Sequence, residues 1–187
     1  MVIGIDEVGR GAWAGPMLFC AVMLGKSIPG LTDSKKLTKI QREKLSEAIV
    51  KSAQFIGYGW VSPQEIDDLG LTKASELACR RVIKKAPKNT QIIIDGNINY
   101  LKNTPNTSNL IGGDNTVPAI SAASIVAKVE RDKIMSKYGE EYPECGFATN
   151  VGYGTKKHIE AIAKHGLTPI HRWSYKPIKE FLDSYEA

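Results

Sequence analysis

The 187-residue chain has few cysteines, few histidines and no long apolar run, and these scarcities exclude several classes of protein. Cys20, Cys79 and Cys145 are odd in number and widely separated, which argues against a disulfide framework or a zinc site. No apolar stretch approaches the roughly 20 residues that a membrane-spanning helix needs. The amino terminus also lacks the basic flank and the cleavage site of a secretory signal. We therefore expect a cytoplasmic protein without a membrane partner, whose thiols are buried or inert.

The remaining composition is that of an ordinary globular protein with a small basic excess. Hydrophobic residues make up 42% of the chain, and its length suits one domain with a sizeable core. No repeat, low-complexity tract or flexible linker divides it, so we expect residues 1–187 to form a single domain. The net charge of +5 favours an anionic partner, although a similar excess occurs in proteins that bind no nucleic acid. No obligate protein partner is indicated.

Strand and helix patterns alternate along the chain. Apolar runs at residues 17–24 and 54–61 predict strands. Between them, residues 38–41 have the sequence of a capping box and predict a helix with Ile40 on its apolar face. A second capping box precedes an amphipathic helix predicted over residues 72–85.

The most informative pattern is a pair of adjacent acids that ends a short apolar strand. Asp6 and Glu7 follow the apolar residues 2–5, and the segment Gly9-Arg10-Gly11 comes next. Two neighbouring carboxylates repel each other unless a cation lies between them, and glycines allow backbone N–H groups to approach a polyanion closely. The pattern indicates a divalent metal and a phosphodiester. The alternative is a solvated turn that closes the strand.

Two further carboxylates occupy comparable positions. Asp95 ends the apolar run 91–95 and is followed by a glycine. Because ligands gather outside strand ends in open α/β sheets, Asp95 would meet the first acid pair if the two strands are adjacent and parallel. Asp114 follows two glycines and precedes the small-residue run 118–127, which predicts a helix packed closely against a neighbour. Asp114 is either a turn acid or a metal ligand held by the glycine turn.

Six segments in this order make the chain resemble bacterial ribonuclease HII, a type 2 ribonuclease H. The segments are Asp6-Glu7-Val8-Gly9-Arg10-Gly11, Asp33-Ser34-Lys35-Lys36-Leu37, Ile94-Asp95-Gly96, Gly113-Asp114, residues 121–129 and Gly152-Tyr153-Gly154-Thr155. The resemblance covers nearly the whole chain. It implies an α/β ribonuclease H-like fold, in which a mixed five-stranded sheet is flanked by helices and followed by a helical carboxy-terminal part.

The resemblance also implies an activity and a set of catalytic residues. The family hydrolyses the RNA strand of RNA/DNA hybrids and cuts 5′ to single ribonucleotides in duplex DNA, leaving 5′-phosphate and 3′-hydroxyl ends. Its four catalytic, metal-binding acids match Asp6, Glu7, Asp95 and Asp114. Oxygen ligands suit two Mg²⁺ or Mn²⁺ ions rather than zinc. In a two-metal mechanism one ion activates the attacking water and the other stabilises the leaving 3′ oxygen.

Recognition of the substrate sugar is expected from two glycine-containing segments. By resemblance, the backbone of Gly9, Arg10 and Gly11 senses the 2′-hydroxyl, the group that distinguishes RNA from DNA. Tyr153 matches a tyrosine that stacks on the sugar at the junction where RNA gives way to DNA. The alternative for a tyrosine in such a turn is simple packing over a loop.

Basic residues supply candidate phosphate contacts. Lys36 and Lys128 lie in matched segments and are expected to contact phosphates of the substrate. Lys156, Lys157 and Arg172 would extend this basic track. The alternative is that these side chains form solvated faces, and a salt-dependent loss of affinity on substitution distinguishes the two.

Other features bear on how far the resemblance extends. The three histidines show no ligand spacing with the acids, so none is assigned to catalysis, and His158 is expected at the surface or in a helix cap. Val151 stands where a lysine commonly precedes the Gly-Tyr-Gly turn, which removes one expected phosphate contact. A ribonuclease HIII-like enzyme would carry Ser-Gly-Lys in the opening loop instead. A non-catalytic nucleic-acid-binding domain, or a metal-dependent DNA nuclease that shares only the sheet, would also fit parts of the pattern.

Overall fold

A computed structural model describes residues 1–32 and 34–186, so Asp33 of the second matched segment lies outside the described residues. The chain divides into two compact units. The first comprises Met1–Val8, Leu18–Trp60 and Ser75–Glu130, and the second comprises Gly9–Met17, Val61–Ala74 and Arg131–Ala187. A single domain over residues 1–187 stays a prediction.

A mixed five-stranded sheet forms the framework of the first unit. Its strands are β1 (Val2–Val8), β2 (Met17–Leu24), β3 (Ala53–Val61), β4 (Gln91–Asp95) and β5 (Thr107–Leu110). Their order across the sheet is β3-β2-β1-β4-β5. β1 pairs antiparallel with β2 and parallel with β4, and β4 pairs parallel with β5. The predicted mixed sheet is therefore confirmed.

Helices account for most of the remaining regular structure. In the described part of the chain they are α1 (Lys39–Ser52), α2 (Pro63–Val82), α3 (Pro118–Glu141), α4 (Phe147–Asn150), α5 (Lys156–His165) and α6 (Lys176–Glu186). Short 3-10 turns occupy Ser34–Lys36, Gly113–Asn115 and Pro143–Cys145. The last three α-helices confirm the predicted helical carboxy-terminal part. Within residues 1–32 and 34–186, none of the helices combines the length and apolar character that crossing a membrane requires.

The two predicted capping boxes form, and each precedes a helix. Thr38 Oγ1 accepts a hydrogen bond from the N–H of Gln41 at 3.3 Å, and Gln41 Oε1 accepts one from the N–H of Thr38 at 2.8 Å. Ser62 and Glu65 form the same reciprocal pair, at 3.1 and 2.9 Å. These bonds satisfy N–H groups that the first turn of a helix leaves without a partner. The predicted apolar face of α1 is wrong at Ile40, whose side chain is 65% exposed.

Helix α3 approaches β1 closely within the first unit. A Cβ atom at Gly4 would collide with the backbone of Ala119 and Ile120, so only glycine allows this contact. The small side chains near the start of α3 keep the approach open. This unit has a buried apolar cluster of Leu18, Cys20, Val22, Ile49, Ala122, Ala123, Ile125, Val126 and Ala127. The close packing that the small-residue run predicts is therefore present.

The second unit contains its own apolar cluster, formed by Ala14, Met135, Cys145, Phe147 and Ile170.

The three cysteines of the chain are buried free thiols, as predicted. Burial raises the pKa of the Cys20 and Cys79 thiols, which keeps them protonated and poorly nucleophilic at neutral pH.

Candidate active site

The ends of β1 and β4 bring three predicted acids together. Ile5 pairs with Ile94 in parallel register, and Asp6 and Asp95 each directly follow this last pair between β1 and β4. Glu7 is the next residue of β1. The negative charges of Glu7 and Asp95 both act on Asp6. The sequence predicts that the acids meet if these two strands are adjacent and parallel. Both conditions are confirmed.

The carboxyl of Asp6 lies in an environment that disfavours its negative charge. Its side chain is 8% exposed, and Oδ1 accepts a hydrogen bond from the N–H of Glu7 at 2.8 Å. Burial and then the charge of Glu7 raise the pKa of Asp6 to about 7, with a smaller contribution from Asp95. Hydrogen bonds from the Ser124 hydroxyl and the Glu7 N–H act in the opposite direction. A nearby cation would favour the ionised form of such a carboxyl.

The fourth predicted acid lies in a turn that is bonded to Asp95. Asp95 Oδ1 accepts a hydrogen bond from the N–H of Gly113 at 2.8 Å. Asp114 is buried in the following 3-10 turn, where its backbone carbonyl accepts a hydrogen bond from the Ser121 hydroxyl. Its Oδ1 accepts a second bond from Asn115 Nδ2 at 2.8 Å. The glycine turn therefore holds Asp114 in a defined position next to Asp95.

The donor chemistry of the four acids suits a hard divalent cation. Among the residues described, no group of three or more His, Cys, Asp and Glu side chains has an arrangement that could by itself hold a metal ion. Mg²⁺ commonly binds through one or two carboxylates together with water and substrate phosphate, and so does not require an all-protein cage. The crowding of oxygen ligands and the disfavoured charge of Asp6 fit such an ion. The assignment of Asp6, Glu7, Asp95 and Asp114 as its ligands stays a prediction.

Two lysines predicted to contact phosphates also lie in the first unit. Lys36 is exposed, and its Nζ lies 3.4 Å from Oδ1 of Asn115, the residue after Asp114. Lys128 is half-buried in α3. Their roles in binding substrate stay predictions.

Arg172 supports the backbone of the Gly9-Arg10-Gly11 segment, which belongs to the second unit. Arg172 has no exposed surface. Its Nη1 donates a hydrogen bond to the carbonyl of Arg10 at 3.0 Å, and its Nε and Nη2 donate to the carbonyl of Gly15 at 3.0 and 2.9 Å. The Tyr175 hydroxyl donates to the same Arg10 carbonyl. The prediction that Arg172 extends a solvent-facing basic track is wrong, because its guanidinium is buried against backbone carbonyls.

A second buried arginine, Arg131, joins the chain after the glycine segment to the turn that contains Val151. Its guanidinium donates hydrogen bonds to the carbonyls of Pro16 and Val151, both at 2.8 Å, and to that of Ala14 at 3.1 Å. Val151 has a φ of 45°, which is unfavourable for a β-branched residue. The bond to its carbonyl helps to hold this conformation.

The two glycines of the segment have different surroundings. Gly9 has a φ of 81°, and a Cβ atom there would collide with the guanidinium of Arg131. Gly11 is exposed, and a Cβ atom there would meet nothing within 4 Å. Gly9 is therefore required by the fold of this unit, whereas Gly11 leaves an open face beside the backbone.

Tyr153 combines a fixed backbone with an accessible ring. Its N–H donates to the carbonyl of Asn150 at 3.0 Å, and its carbonyl lies 3.0 Å from His158 Nδ1. The residue is 36% exposed, and the guanidinium carbon of Arg131 lies 5.7 Å from the centroid of the ring. The ring is thus held in place and still accessible to a partner.

The pair formed by His158 and His171 was not predicted from the sequence. Both side chains are fully buried in the second unit, and their Nε2 atoms lie 3.1 Å apart. The expected surface location of His158 is wrong, although its N–H does donate to the N-cap hydroxyl of Thr155 at 3.3 Å. His158 lies in α5 and His171 lies beyond its end, so helical periodicity does not predict their contact.

A mixed sheet with carboxylates at the neighbouring ends of β1 and β4 is the arrangement of a ribonuclease H-like hydrolase. The ribonuclease HII family profile matches residues 3–178. A relative named ribonuclease HII from Dichelobacter nodosus (strain VCS1703A) is 46% identical over 187 residues, which is 97% of each chain. The chain belongs to the ribonuclease HII family, as its sequence segments predict.

Solved structures confirm the fold. The ribonuclease H2 of Pyrococcus horikoshii OT3 superimposes with a TM-score of 0.83 at 26% identity, covering 99% of this chain and 98% of that one. Bst-RNase HIII, solved in complex with Mn²⁺, gives a TM-score of 0.75 at 20% identity, covering 98% of this chain and 69% of its own. The second likeness concerns the fold alone.

Proposed function

We propose that this protein is a metal-dependent endoribonuclease that hydrolyses the RNA strand of RNA/DNA hybrids and cuts 5′ to single ribonucleotides in duplex DNA. The observation that carries the proposal is the meeting of Asp6, Glu7 and Asp95 at the adjacent ends of β1 and β4. The turn of Asp114 is bonded to the same group. Membership of the ribonuclease HII family supports the substrate class.

The four acids are the proposed catalytic and metal-binding residues, for two Mg²⁺ or Mn²⁺ ions. Bound divalent cations supply Lewis-acid chemistry for an in-line attack of water on the phosphodiester, which leaves 5′-phosphate and 3′-hydroxyl ends. The chain itself orients the carboxylates: the N–H of Glu7 fixes Asp6 Oδ1, and the N–H of Gly113 fixes Asp95 Oδ1. Fixed ligands need little reorganisation when charge develops during the reaction.

Discrimination between RNA and DNA is proposed to rest on the backbone of Gly9, Arg10 and Gly11. The carbonyl of Arg10 is held by Arg172 and Tyr175, which limits the conformations of the segment. A segment held in one conformation loses less entropy when it binds a sugar hydroxyl. The open face at Gly11 gives that hydroxyl access to backbone groups. Tyr153 would stack its accessible ring on the sugar at the RNA–DNA junction.

Phosphate binding is proposed for Lys36 and Lys128. Each lost phosphate contact should lower the slope of log affinity against log salt by about one. Alanine at either position should therefore lower the affinity for ribonucleotide-containing and all-DNA duplexes by the same factor. A change confined to one of the two duplexes would assign the lysine to sugar recognition instead.

The decisive experiment maps cleavage on a duplex with one ribonucleotide in one DNA strand, beside an all-DNA duplex, with Mg²⁺, Mn²⁺ or EDTA. We expect one metal-dependent cut on the 5′ side of the ribonucleotide and none in the all-DNA duplex. Asp6→Asn and Asp95→Asn should each reduce the rate by roughly 100-fold or more. Asp68→Asn, which alters an exposed acid, is the matched control.

Three outcomes would contradict the proposal. Tight binding without turnover would indicate a non-catalytic nucleic-acid-binding domain. Equal cleavage of both duplexes would indicate a general DNA nuclease. Full metal-dependent cleavage by folded Asp6→Asn and Asp95→Asn proteins would remove these acids from catalysis.

A further inference from the structure

A chain of hydrogen bonds runs through two buried histidines to the backbone of Tyr153. The N–H of Thr168 lies 2.9 Å from His171 Nδ1, and His171 Nε2 lies 3.1 Å from His158 Nε2. His158 Nδ1 lies 3.0 Å from the carbonyl oxygen of Tyr153. Neither imidazole has exposed surface, so these contacts are made without competition from bulk water.

The partners assign one tautomer to each ring. The Tyr153 carbonyl can only accept, so His158 Nδ1 donates to it and Nε2 of the neutral ring accepts. His171 Nε2 must then donate to His158, which leaves His171 Nδ1 to accept from the N–H of Thr168. The Thr168 hydroxyl at 2.9 Å suits this assignment. The Thr168 carbonyl would suit the opposite tautomer but lies farther away, at 3.3 Å.

This order of donors and acceptors requires both rings to be neutral. A proton added to His158 Nε2 or to His171 Nδ1 would point at another donor. The two imidazole rings face each other. The other groups around them are the hydroxyl of Thr168 and the aromatic rings of Trp13 and Phe147. Burial lowers the pKa of His158, and burial followed by the nearness of His158 lowers the pKa of His171 to about 4.

We propose that His158 and His171 are positioning residues that set the conformation of Tyr153 and thereby the preference for junctions between RNA and DNA. The inference rests on the proposed function, in which Tyr153 stacks on the junction sugar. The N–H of Tyr153 donates to the carbonyl of Asn150, and its own carbonyl accepts from the N–H of Thr155 at 2.8 Å and from His158 Nδ1 at 3.0 Å. The histidine pair thus connects Thr168 to the backbone of the residue whose ring is proposed to stack on the substrate sugar.

Two substitutions at position 158 separate positioning from packing. Asparagine can place its amide nitrogen near the position of Nδ1 and still donate to the Tyr153 carbonyl. Glutamine reaches the position of Nε2 instead, so it can contact His171 but loses the bond to Tyr153. Both remove the same ring from its contacts with Trp13 and Phe147, so a purely structural role predicts similar effects.

The measurement is the ratio of cleavage rates on a single-ribonucleotide duplex and on a continuous RNA/DNA hybrid. His158→Gln should lower this ratio about tenfold with little change in the rate on the hybrid, because a misplaced contact group costs rate only where it is used. His158→Asn should stay within about threefold of the wild-type ratio. Tyr153→Ala should lower the ratio at least as much as His158→Gln. His165→Gln, at an exposed histidine, is the control.

The outcomes distinguish this inference from the proposed function. A wild-type ratio in folded His158→Gln, with a lowered ratio in Tyr153→Ala, overturns the positioning role and leaves the activity intact. An unchanged ratio in Tyr153→Ala also overturns the inference, because Tyr153 would then play no part in junction preference. A wild-type protein that cuts neither substrate overturns both proposals. If His158→Gln does not fold, ¹⁵N NMR of the wild-type imidazoles at pH 7 decides. The Nδ1–H form at His158 with the Nε2–H form at His171 supports the inference, and any other pair of forms overturns it.

Discussion

Asp95 Oδ1 accepts a 2.8 Å hydrogen bond from the N–H of Gly113, the residue directly before Asp114. The bond ties the end of β4 to the turn that carries another acid. A carboxylate has two oxygens with several acceptor positions, so this bond orients Asp95 without exhausting its capacity as a ligand. The position of Asp95 and its charge can therefore be tested separately.

Asp95→Asn should stabilise the metal-free protein while removing its response to metal. The asparagine Oδ1 can still accept the Gly113 N–H, so the turn should keep its position. Removing the charge relieves repulsion with the buried carboxyl of Asp6, and the melting temperature in EDTA should rise by a few degrees. Wild type should gain stability on addition of Mn²⁺, because a ligand of the folded state shifts the unfolding equilibrium. Calorimetry with EDTA or Mn²⁺ measures both effects.

The control for this pair of measurements is Asp68→Asn, at an exposed acid. Its melting temperature should follow that of wild type in EDTA and in Mn²⁺. If Asp95→Asn retained the full stabilisation by Mn²⁺, Asp95 would not be a ligand.

Substitution of Gly11 should impair recognition of the sugar without harming the fold. A valine Cβ at this position meets no atom within 4 Å, so the free energy of unfolding should change by less than about 1 kcal/mol. The added side chain would cover the open backbone face, and kcat/KM on the single-ribonucleotide duplex should fall about tenfold. Kinetics and urea denaturation on the same preparation give both values.

The matched variant is Gly9→Val. The φ of 81° and the collision with Arg131 should destabilise this protein by about 3 kcal/mol or more. Wild-type kinetics in a folded Gly11→Val protein would exclude close approach of substrate at that face.

Gly4→Val tests the close approach of α3 to β1. The valine Cβ would overlap the backbone of Ala119 and Ile120, and backbone cannot move aside as a flexible side chain can. We expect a loss of about 3 kcal/mol or more in the free energy of unfolding, measured by urea denaturation. Gly11→Ala serves as the comparison, because it adds a Cβ in open space. Equal stability of the two variants would mean that α3 does not pack tightly on β1.

Features with local signals in the sequence were predicted well. The capping box at Thr38 depends on groups three residues apart, and helix formation alone brings them together. The acids at the ends of β1 and β4 were identified because each apolar run stops at a carboxylate. Their meeting required the pairing of strands far apart in sequence, and no spacing rule supplies that pairing.

Besides the exposed Ile40, the errors concern polar side chains that the fold buries. Arg172 is predicted to extend the basic track, but its guanidinium is buried against the carbonyls of Arg10 and Gly15, which come from the opposite end of the chain. His158 and His171 satisfy each other across the end of α5. Such pairs become visible only once the tertiary contacts are known.

Acidification should destabilise the protein through His171, whose pKa of about 4 lies below the ordinary value of 6.5. The unfolded chain binds its proton first, so the contribution of His171 to stability is complete above pH 6.5 and declines as the pH falls towards 4. Asp6 acts in the opposite direction in an overlapping range, because its raised pKa favours the folded state at lower pH. The effect of His171 must therefore be measured as a difference between variants.

Unfolding free energies in EDTA from pH 7 to pH 4 should decline less in His171→Asn than in wild type, by roughly 1–3 kcal/mol across the range. His165→Gln should follow the wild-type curve, since that side chain is exposed. Parallel curves for wild type and His171→Asn would show that His171 is not held neutral in the folded protein.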